Sequence, residues 1–408
     1  EVRFLRAYFY FELIKRYRNI PFVLDVLAQN EANGVNPESY EKIAKFIVDE
    51  CSDLAQILPV NYDNFSTKEK GRVTRAAAMA LKSRVTLYMA SPLFSEDSED
   101  KWKQAAEAAY DIIKQKTDLG LDLVPYPQIF NDVNNQKAEV ILYRPTGESG
   151  DFEKANFPIG VEGGKTSTCP TQNLMEAYDM KDGTPFVWNN QSNPYDNRDP
   201  RMKYTIVCNE MKWPVDPVEI WEGGTNGLPL QNATTTGYYL KKYVNNTISF
   251  EAGSTVTKKQ HNWVLFRYGE ILLNYAEAMI NAFHDPNYKD AVYNMSAREA
   301  VNQIRGRTNI SLPGFPSDIT EKDFVKRLKN ERRVELAFEG HRFWDVRRWK
   351  ELGQTANIYG VKITKNNEVI SYEKFLLETR AVTDNMYFYP IPNTERFKNP
   401  NLGQNPGW

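Results

Sequence analysis

Glu331 to Lys350 reads ERRVELAFEGHRFWDVRRWK, ten charged residues and four aromatics in twenty positions. At 100° per residue along a helix, with Phe324 set at 0°, Leu328 falls at about 40° and Phe338 at about 320°. Glu331, Glu335 and Glu339 fall among them, at about 340°, 20° and 60°, so the acids share the apolar face. Lys326, Lys329 and Arg333 lie on the opposite side. Carboxylates on a packed face need charged or hydrogen-bonded partners, because an unpaired buried charge is prohibitive, and arginines of the same or the next helix are expected to supply them. A helix that binds nucleic acid segregates its bases, whereas six bases here are interleaved with four acids. Gly340 closes this helix, and HRFWDVRRW starts a return helix whose Phe343 and Trp344 pack back. The stretch is part of a helical scaffold.

Working outward, apolar residues recur at three and four spacing from Val2 to Tyr17, Ser39 to Leu58, Arg72 to Ala90, Trp102 to Lys116, Val264 to Ala282, Ser296 to Arg307, Thr320 to Phe338 and Arg342 to Lys350. Eight helices make about four pairs. Small residues recur where helices must approach closely: Ala76, Ala77, Ala78 and Ala80, then Ala105, Ala106, Ala108 and Ala109, then Ala276 and Ala278. This pattern suits helix-turn-helix repeats of the tetratricopeptide kind, although no strict 34-residue consensus is present. In VLFRYGEILLNYAEAMINA, Arg267, Glu270, Asn274 and Glu277 form one polar stripe on an otherwise apolar cylinder, a device that sets one helix in register against another.

Residues 119–262 read differently. Gly, Pro and Asn clusters such as PTGESG, VEGGKTS, WNNQSNPYDNRDPR and WEGGTNG separate short strand-like runs such as EVILYR and RMKYTIV. The expected organisation is therefore a helical scaffold over 1–118 and 263–352, a loop-and-short-strand lobe inserted at 119–262, and a tail over 353–408 packed on the scaffold. That tail carries a strand at YGVKI and an extended Pro/Asn-rich end. The fold class is mainly α, with tetratricopeptide-like helix pairs and an inserted lobe.

Composition excludes several functions. The 51 basic and 53 acidic residues leave a formal charge of -2, so no overall field steers the chain toward nucleic acid or an anionic membrane. No apolar run approaches a membrane span. Cys51, Cys169 and Cys208 form no CxxC pair. They read as small buried hydrophobes, with a Cys169 to Cys208 bridge the one pairing left open. GGKTS at Gly163 lacks the glycine that a phosphate loop needs at position 159, which is Ile159, and it reads as a glycine turn. His261, His284 and His341 have no metal-ligand companions at helical spacing, so neither a metal nor a cofactor is expected. GESG at Gly147 is not a nucleophile elbow, since position 151 is Asp151. A pair of carboxylates for glycoside hydrolysis remains open, because such a pair need not be close in sequence.

The whole chain resembles the SusD/RagB family of surface glycan-binding lipoproteins. Seven motifs carry the resemblance in order: EVRFLRAYFYFELIKRYRNIPFV from Glu1, GRVTRAAAMALKSRVTLYMASPLF from Gly71, MEAYDMKDGTP from Met175, NRDPRM from Asn197, LFRYGEILLNYAEAM from Leu265, NERRVELAFEGHRFWDVRRW from Asn330 and YFYPIPNTERFKNPNLGQNPGW at the end. The resemblance implies four tetratricopeptide-like pairs carrying a loop-rich lobe. It implies a non-catalytic protein, lipid-anchored on the extracellular face of the outer membrane, that captures oligosaccharide for a TonB-dependent, SusC-like transporter. A signal peptide, a lipidated cysteine and the first part of the family's fold would then lie ahead of Glu1, where helix Val2 to Tyr17 begins without a capping residue.

Glycan binding has a physical signature. A sugar ring offers an apolar C–H face to Trp or Tyr, while Asn, Asp, Gln and Arg satisfy its hydroxyls in a shallow, partly wet site. Aromatics flanked by Asn and Gly in loops fit that signature: Trp188 in FVWNNQ, Tyr195 in NPYDNR, Trp213 in MKWPVD and Trp221 in EIWEGGTNG, with Asn189, Asn226 and Asn232 as polar partners. Arg198 and Arg201 are expected to tie the NRDPR turn to its neighbours instead. The rival expectation is a tetratricopeptide-like module that binds peptide in its helical groove.

Overall fold

The computed structural model describes residues 1–28, 30–63, 71–96, 98–189, 193–251 and 257–408. Eight helices of seven or more residues build the scaffold: α1 Val2–Tyr17, α2 Tyr40–Ile57, α3 Arg75–Ala90, α4 Glu99–Lys114, α5 Tyr268–Phe283, α6 Ala297–Arg305, α7 Glu321–Glu335 and α8 Arg342–Arg348. Each of the first six packs on the next, and α7 lies against α5 and α6. The start signals are local: Ser39, Thr74, Ser98 and Thr320 accept hydrogen bonds from the amides of their first turns. Ser296 and Glu299 close a capping box ahead of α6. Helices α3 and α5 are buried nearly all round, which their Ala-rich surfaces permit.

The Val264 to Ala282 expectation was half right. Asn262–Arg267 is a strand, β2, paired antiparallel with β1, Val140–Pro145, through Tyr143 opposite Val264. Trp263, Val264, Leu265 and Phe266 make a short apolar run that periodicity cannot distinguish from a buried helical turn. RMKYTIV likewise divides into a single helical turn, Met202–Thr205, and a two-residue strand, Ile206–Val207.

The lobe between α4 and α5 has its own core of Phe157, Met175, Tyr178, Met202, Ile206, Trp213, Val218, Tyr238, Tyr239 and Leu240. The C-terminal hairpin, β3 Asn357–Asn366 and β4 Val369–Thr379, adds Val361, Ile363 and Tyr372 to that core. The chain beyond it returns to the helices. Phe388 packs on the scaffold core, the Tyr389 amide donates to the Arg16 carbonyl at 2.8 Å, and Tyr389 stacks on Trp344. Residues 353–408 thus divide between lobe and scaffold. All three cysteines are free thiols, so no bridge joins Cys169 to Cys208. Burial pushes the Cys51 and Cys208 thiols up to about 12, which makes them inert packing groups.

The glycine turn at VEGGKTS bears on the lobe directly. Gly160 has φ +88°, and a Cβ there would sit 2.2 Å from the Thr225 carbonyl oxygen. Gly160→Ala is expected to destabilise the protein by about 2–4 kcal/mol, through left-handed strain plus a backbone clash. A lowered guanidinium midpoint at unchanged slope would show it.

Glu331, Glu335 and Glu339 do face inward, but the expected arginines of the same or the next helix do not meet them: among the described residues their cationic partners all come from elsewhere in the chain. Glu335 accepts from Arg201 at 2.8 Å, Arg267 at 2.8 Å and Arg307 at 2.7 Å. Glu331 pairs with Arg305 at 2.7 Å and also with Arg201. Glu339 pairs with Arg267 at 2.7 Å and Lys242 at 2.8 Å. With Asp199 on Arg201 and Glu139 on Arg267 and Arg307, five bases meet five acids, every side chain at most 3% exposed, and Asp179 with Arg327 extends the set by one more pair at the Arg305 end. This balanced network joins α7 to the lobe, the β1–β2 pair and the end of α6. Neither α7 nor α8 supplies an arginine to these glutamates; Arg332 of α7 instead meets Asp345 of the return helix at 2.9 Å and Asn274 at 2.7 Å. The α5 stripe is consumed the same way: Glu270 takes both arms of Arg84 at 2.6 Å, and Glu277 binds Arg348 and the Trp349 indole.

Candidate functional site

The network ends at a cleft. Lys242, held by Glu339, also donates to the Tyr126 hydroxyl at 3.0 Å, and its ammonium lies 4.0 Å from the Phe130 ring. The chain from Lys241 to Thr247 is thereby fixed as one wall of a cleft of about 380 Å³. Phe130, Asn131 and Asp132 form a second wall, while Tyr204, Trp213 and His261 complete it. Phe130 and Tyr243 pack edge to face at 5.0 Å, so the floor is rigid and aromatic. Tyr204 is half-exposed, anchored by an Asn309 amide donated to its hydroxyl at 3.3 Å. Asn131, Asn246 and Thr247 stand exposed at the rim, with Asn245 half-buried beside them.

The electrostatics are mild. Burial lowers Lys242 to about 8 against the pull of Glu339. Burial also lowers Lys241, whose ammonium lies 4.8 Å from the Trp213 ring. Asp132, the one carboxylate lining the cleft among the described residues, faces Lys259 at 3.4 Å. No group of three or more His, Cys, Asp or Glu side chains able to hold a metal occurs among the described residues. An aromatic floor with a neutral amide and hydroxyl rim suits a polyhydroxylated ligand with apolar faces.

The seven residues singled out from sequence scatter. Trp213 lines the cleft edge, although only 7% of it is exposed. Tyr195 is packed edge-on between Tyr238 and Tyr372 in the lobe core. Asn226 is buried and holds a loop together, donating to the Ile159 carbonyl at 2.6 Å and accepting from the Glu219 amide at 2.8 Å. Trp221 is half-exposed under the Lys365 ammonium, 4.5 Å away, on the hairpin side. Trp188 is half-exposed and edge-on to Phe186, with Asn189 exposed beside it. Asn232 is exposed in a left-handed turn, φ +64°. Arg198 donates to the Met175 and Tyr178 carbonyls at 2.7 and 2.6 Å, the tying role expected of it.

Sequence reasoning passed over Tyr204, Asn245 and Asn246. The aromatic–asparagine juxtaposition in Tyr243-Val244-Asn245-Asn246 carried the same signal as FVWNNQ. Tyr204 was hidden inside an apparent strand.

A family model described as the SusD family matches residues 129–408. Among curated proteins, SusD-like protein P2 of Formosa agariphila is 29% identical over 163 residues, 38% of this chain and 28% of that protein. The chain thus matches little more than a quarter of that relative's length. A SusD-like protein of Bacteroides fragilis superposes with a TM-score of 0.82 at 27% identity, over 100% of this chain and 79% of that one. A SusD-like carbohydrate-binding protein of the same species gives 0.81 at 27%, over 99% and 79%. A laminarin-binding SusD-like protein shares the fold, with a TM-score of 0.61 at 21% identity, over 100% and 78%.

Proposed function

The chain belongs to the SusD family, and from that membership and the Tyr204 cleft we propose that it is a non-catalytic surface protein that captures oligosaccharide for a SusC-like, TonB-dependent transporter. The single observation that carries this reading is a rigid aromatic floor rimmed by amides and hydroxyls. The solved relative described as carbohydrate-binding supports it. In this proposal the 119–262 lobe supplies the ligand site and the helices serve as its frame. Tyr204 is the stacking platform, and Asn131, Asn245 and Asn246 hydrogen-bond ring hydroxyls. Trp188, Trp221 and Asn189, which keep exposed surface, are secondary contacts for a longer chain.

The lining supports binding without hydrolysis. A glycosidase needs two carboxylates about 5–10 Å apart beside the bound sugar, and Asp132 has no carboxylate companion in the cleft among the described residues. No helix among the described residues is long and apolar enough to cross a membrane, and the proposed attachment at the outer membrane is by an N-terminal lipid. Each stacked ring contributes little, so affinities of millimolar to micromolar, about -4 to -8 kcal/mol, are expected. Weak capture suits a ligand that must be handed onward.

The test is affinity electrophoresis and calorimetry against a panel of neutral polysaccharides and their oligosaccharides. Tyr204→Ala is expected to weaken binding about tenfold, roughly 1.4 kcal/mol, the loss of one stacked aromatic. Trp213→Ala, Trp188→Ala and Trp221→Ala run alongside. Loss confined to Trp188 or Trp221 would move the site out of the Tyr204 cleft. Retention of peptides and of no glycan would return the reading to a tetratricopeptide-like peptide-binding module.

A further inference from the structure

A second and larger cleft, of about 810 Å³, lies between α7 and the lobe segment that carries Pro185 and Phe186. Its charged side chains are unevenly matched. Glu176 is ion-paired with Lys374, Asp179 with Arg305, and Glu351 with Lys329. Asp323 accepts from the Thr320 hydroxyl at the start of α7. Exposed Asp318 has no cation partner among the described residues. The bases are freer. Lys322, Lys326 and Arg333 have neither ion pair nor side-chain hydrogen bond among the described residues, and Arg342 has one hydrogen bond, to the neutral Gln354 at 2.8 Å.

The free bases are also ordered in space, together with the paired Lys329. Lys322, Lys326, Lys329 and Arg333 follow one another at four, three and four residues, so they form a single stripe along α7, opposite its buried glutamates. The stripe is about 16 Å long at 1.5 Å per residue. Arg333 and Arg342 are both half-buried in the wall of this cleft, and burial, then the like charge of Arg342, lowers the Arg333 pKa against the opposing pull of Glu176. Neither guanidinium has a carboxylate in ion-pair contact among the described residues, and an anion joining the two would relieve their partly desolvated charge. Phe186 in the same wall, with Trp188 beside it, provides apolar surface next to the charge.

We infer that this cleft binds the anionic substituents of an acidic oligosaccharide, carboxylate or sulfate, with Arg333 and Arg342 as the fork and Lys326 and Lys322 as successive contacts along α7. The inference rests on the glycan-binding reading and adds to it the charge of the substrate.

The experiment compares three oligosaccharide sets on the same backbone: neutral, uronate-bearing and sulfate-ester-bearing. Each is titrated by calorimetry at low and high salt against the wild-type chain, Arg333→Gln and Lys326→Gln. The expected result is tighter, salt-sensitive binding of one or both acidic sets, weakened about tenfold in Arg333→Gln and about threefold in Lys326→Gln, with neutral binding unchanged. Whichever acidic set gains names the anion. Acidic sets that bind no tighter than neutral ones, or that keep their affinity in both variants, would overturn the anion site and leave glycan capture standing. Acidic binding that depends on Arg333, with no neutral binding and no effect of Tyr204→Ala, would support the anion site and count against the Tyr204 cleft.

Discussion

Glu335→Ala is expected to cost the protein about 3–5 kcal/mol or more, enough to leave much of a typical domain unfolded at 37 °C. The carboxylate is fully buried and is the common acceptor for Arg201, Arg267 and Arg307. Removing it leaves three guanidiniums facing one another in a dry interior, with only Glu331, Glu139, Asp199 and Glu339 to share among them. The cost comes from stranded charge rather than from a lost attraction, since a balanced buried network contributes little beyond an apolar core of the same volume. Urea unfolding distinguishes the two accounts. Glu335→Ala should fall far below Lys326→Gln, which neutralises an exposed base on the opposite face of α7. Equal midpoints would mean that the network is not a structural clamp. Because the network holds Lys242 and thus one wall of the Tyr204 cleft, partially folded Glu335→Ala should also bind neutral glycan poorly.

Acid should undo the same region. Burial alone would raise the carboxyls of Glu331, Glu335 and Glu339, but their arginine and lysine partners outweigh it and hold all three below the usual range. In the unfolded chain each takes up a proton near 4.5. Below that pH the unfolded state therefore binds more protons than the native state, and stability falls as pH falls. The contribution is fully present at neutral pH and is lost progressively below about 4.5. His341 adds to the loss from higher pH, because burial, and then the charges of Arg84 and Arg332, press its pKa well below 6.5. It stays neutral in the fold and charges on unfolding. The expected melting profile is flat around neutrality, slopes down below about pH 6.5, and steepens below about 4.5. His341→Gln should remove the upper slope and leave the lower one. A profile that stays flat to pH 3 would contradict the native ionisation of these glutamates.

The sequence determined the helices and their inward faces, because both are local. The three-and-four spacing, the Ser and Thr caps and the Ala-rich stripes state where a helix starts and which side it buries. The placement of Glu331, Glu335 and Glu339 among apolar neighbours states that they need partners. It does not state which partners. Arg201 lies 134 residues from Glu335, and only the packing of lobe on scaffold brings it within 2.8 Å. The same limit governs the binding surface. An aromatic beside asparagine is a pattern shared by a platform and by a loop that pins itself. Asn226 was taken up by backbone groups of Ile159 and Glu219, Tyr195 went into the lobe core, and Tyr204, read as part of a strand, emerged at the cleft. Exposure is a property of what the rest of the chain leaves uncovered, and tertiary structure alone decides it.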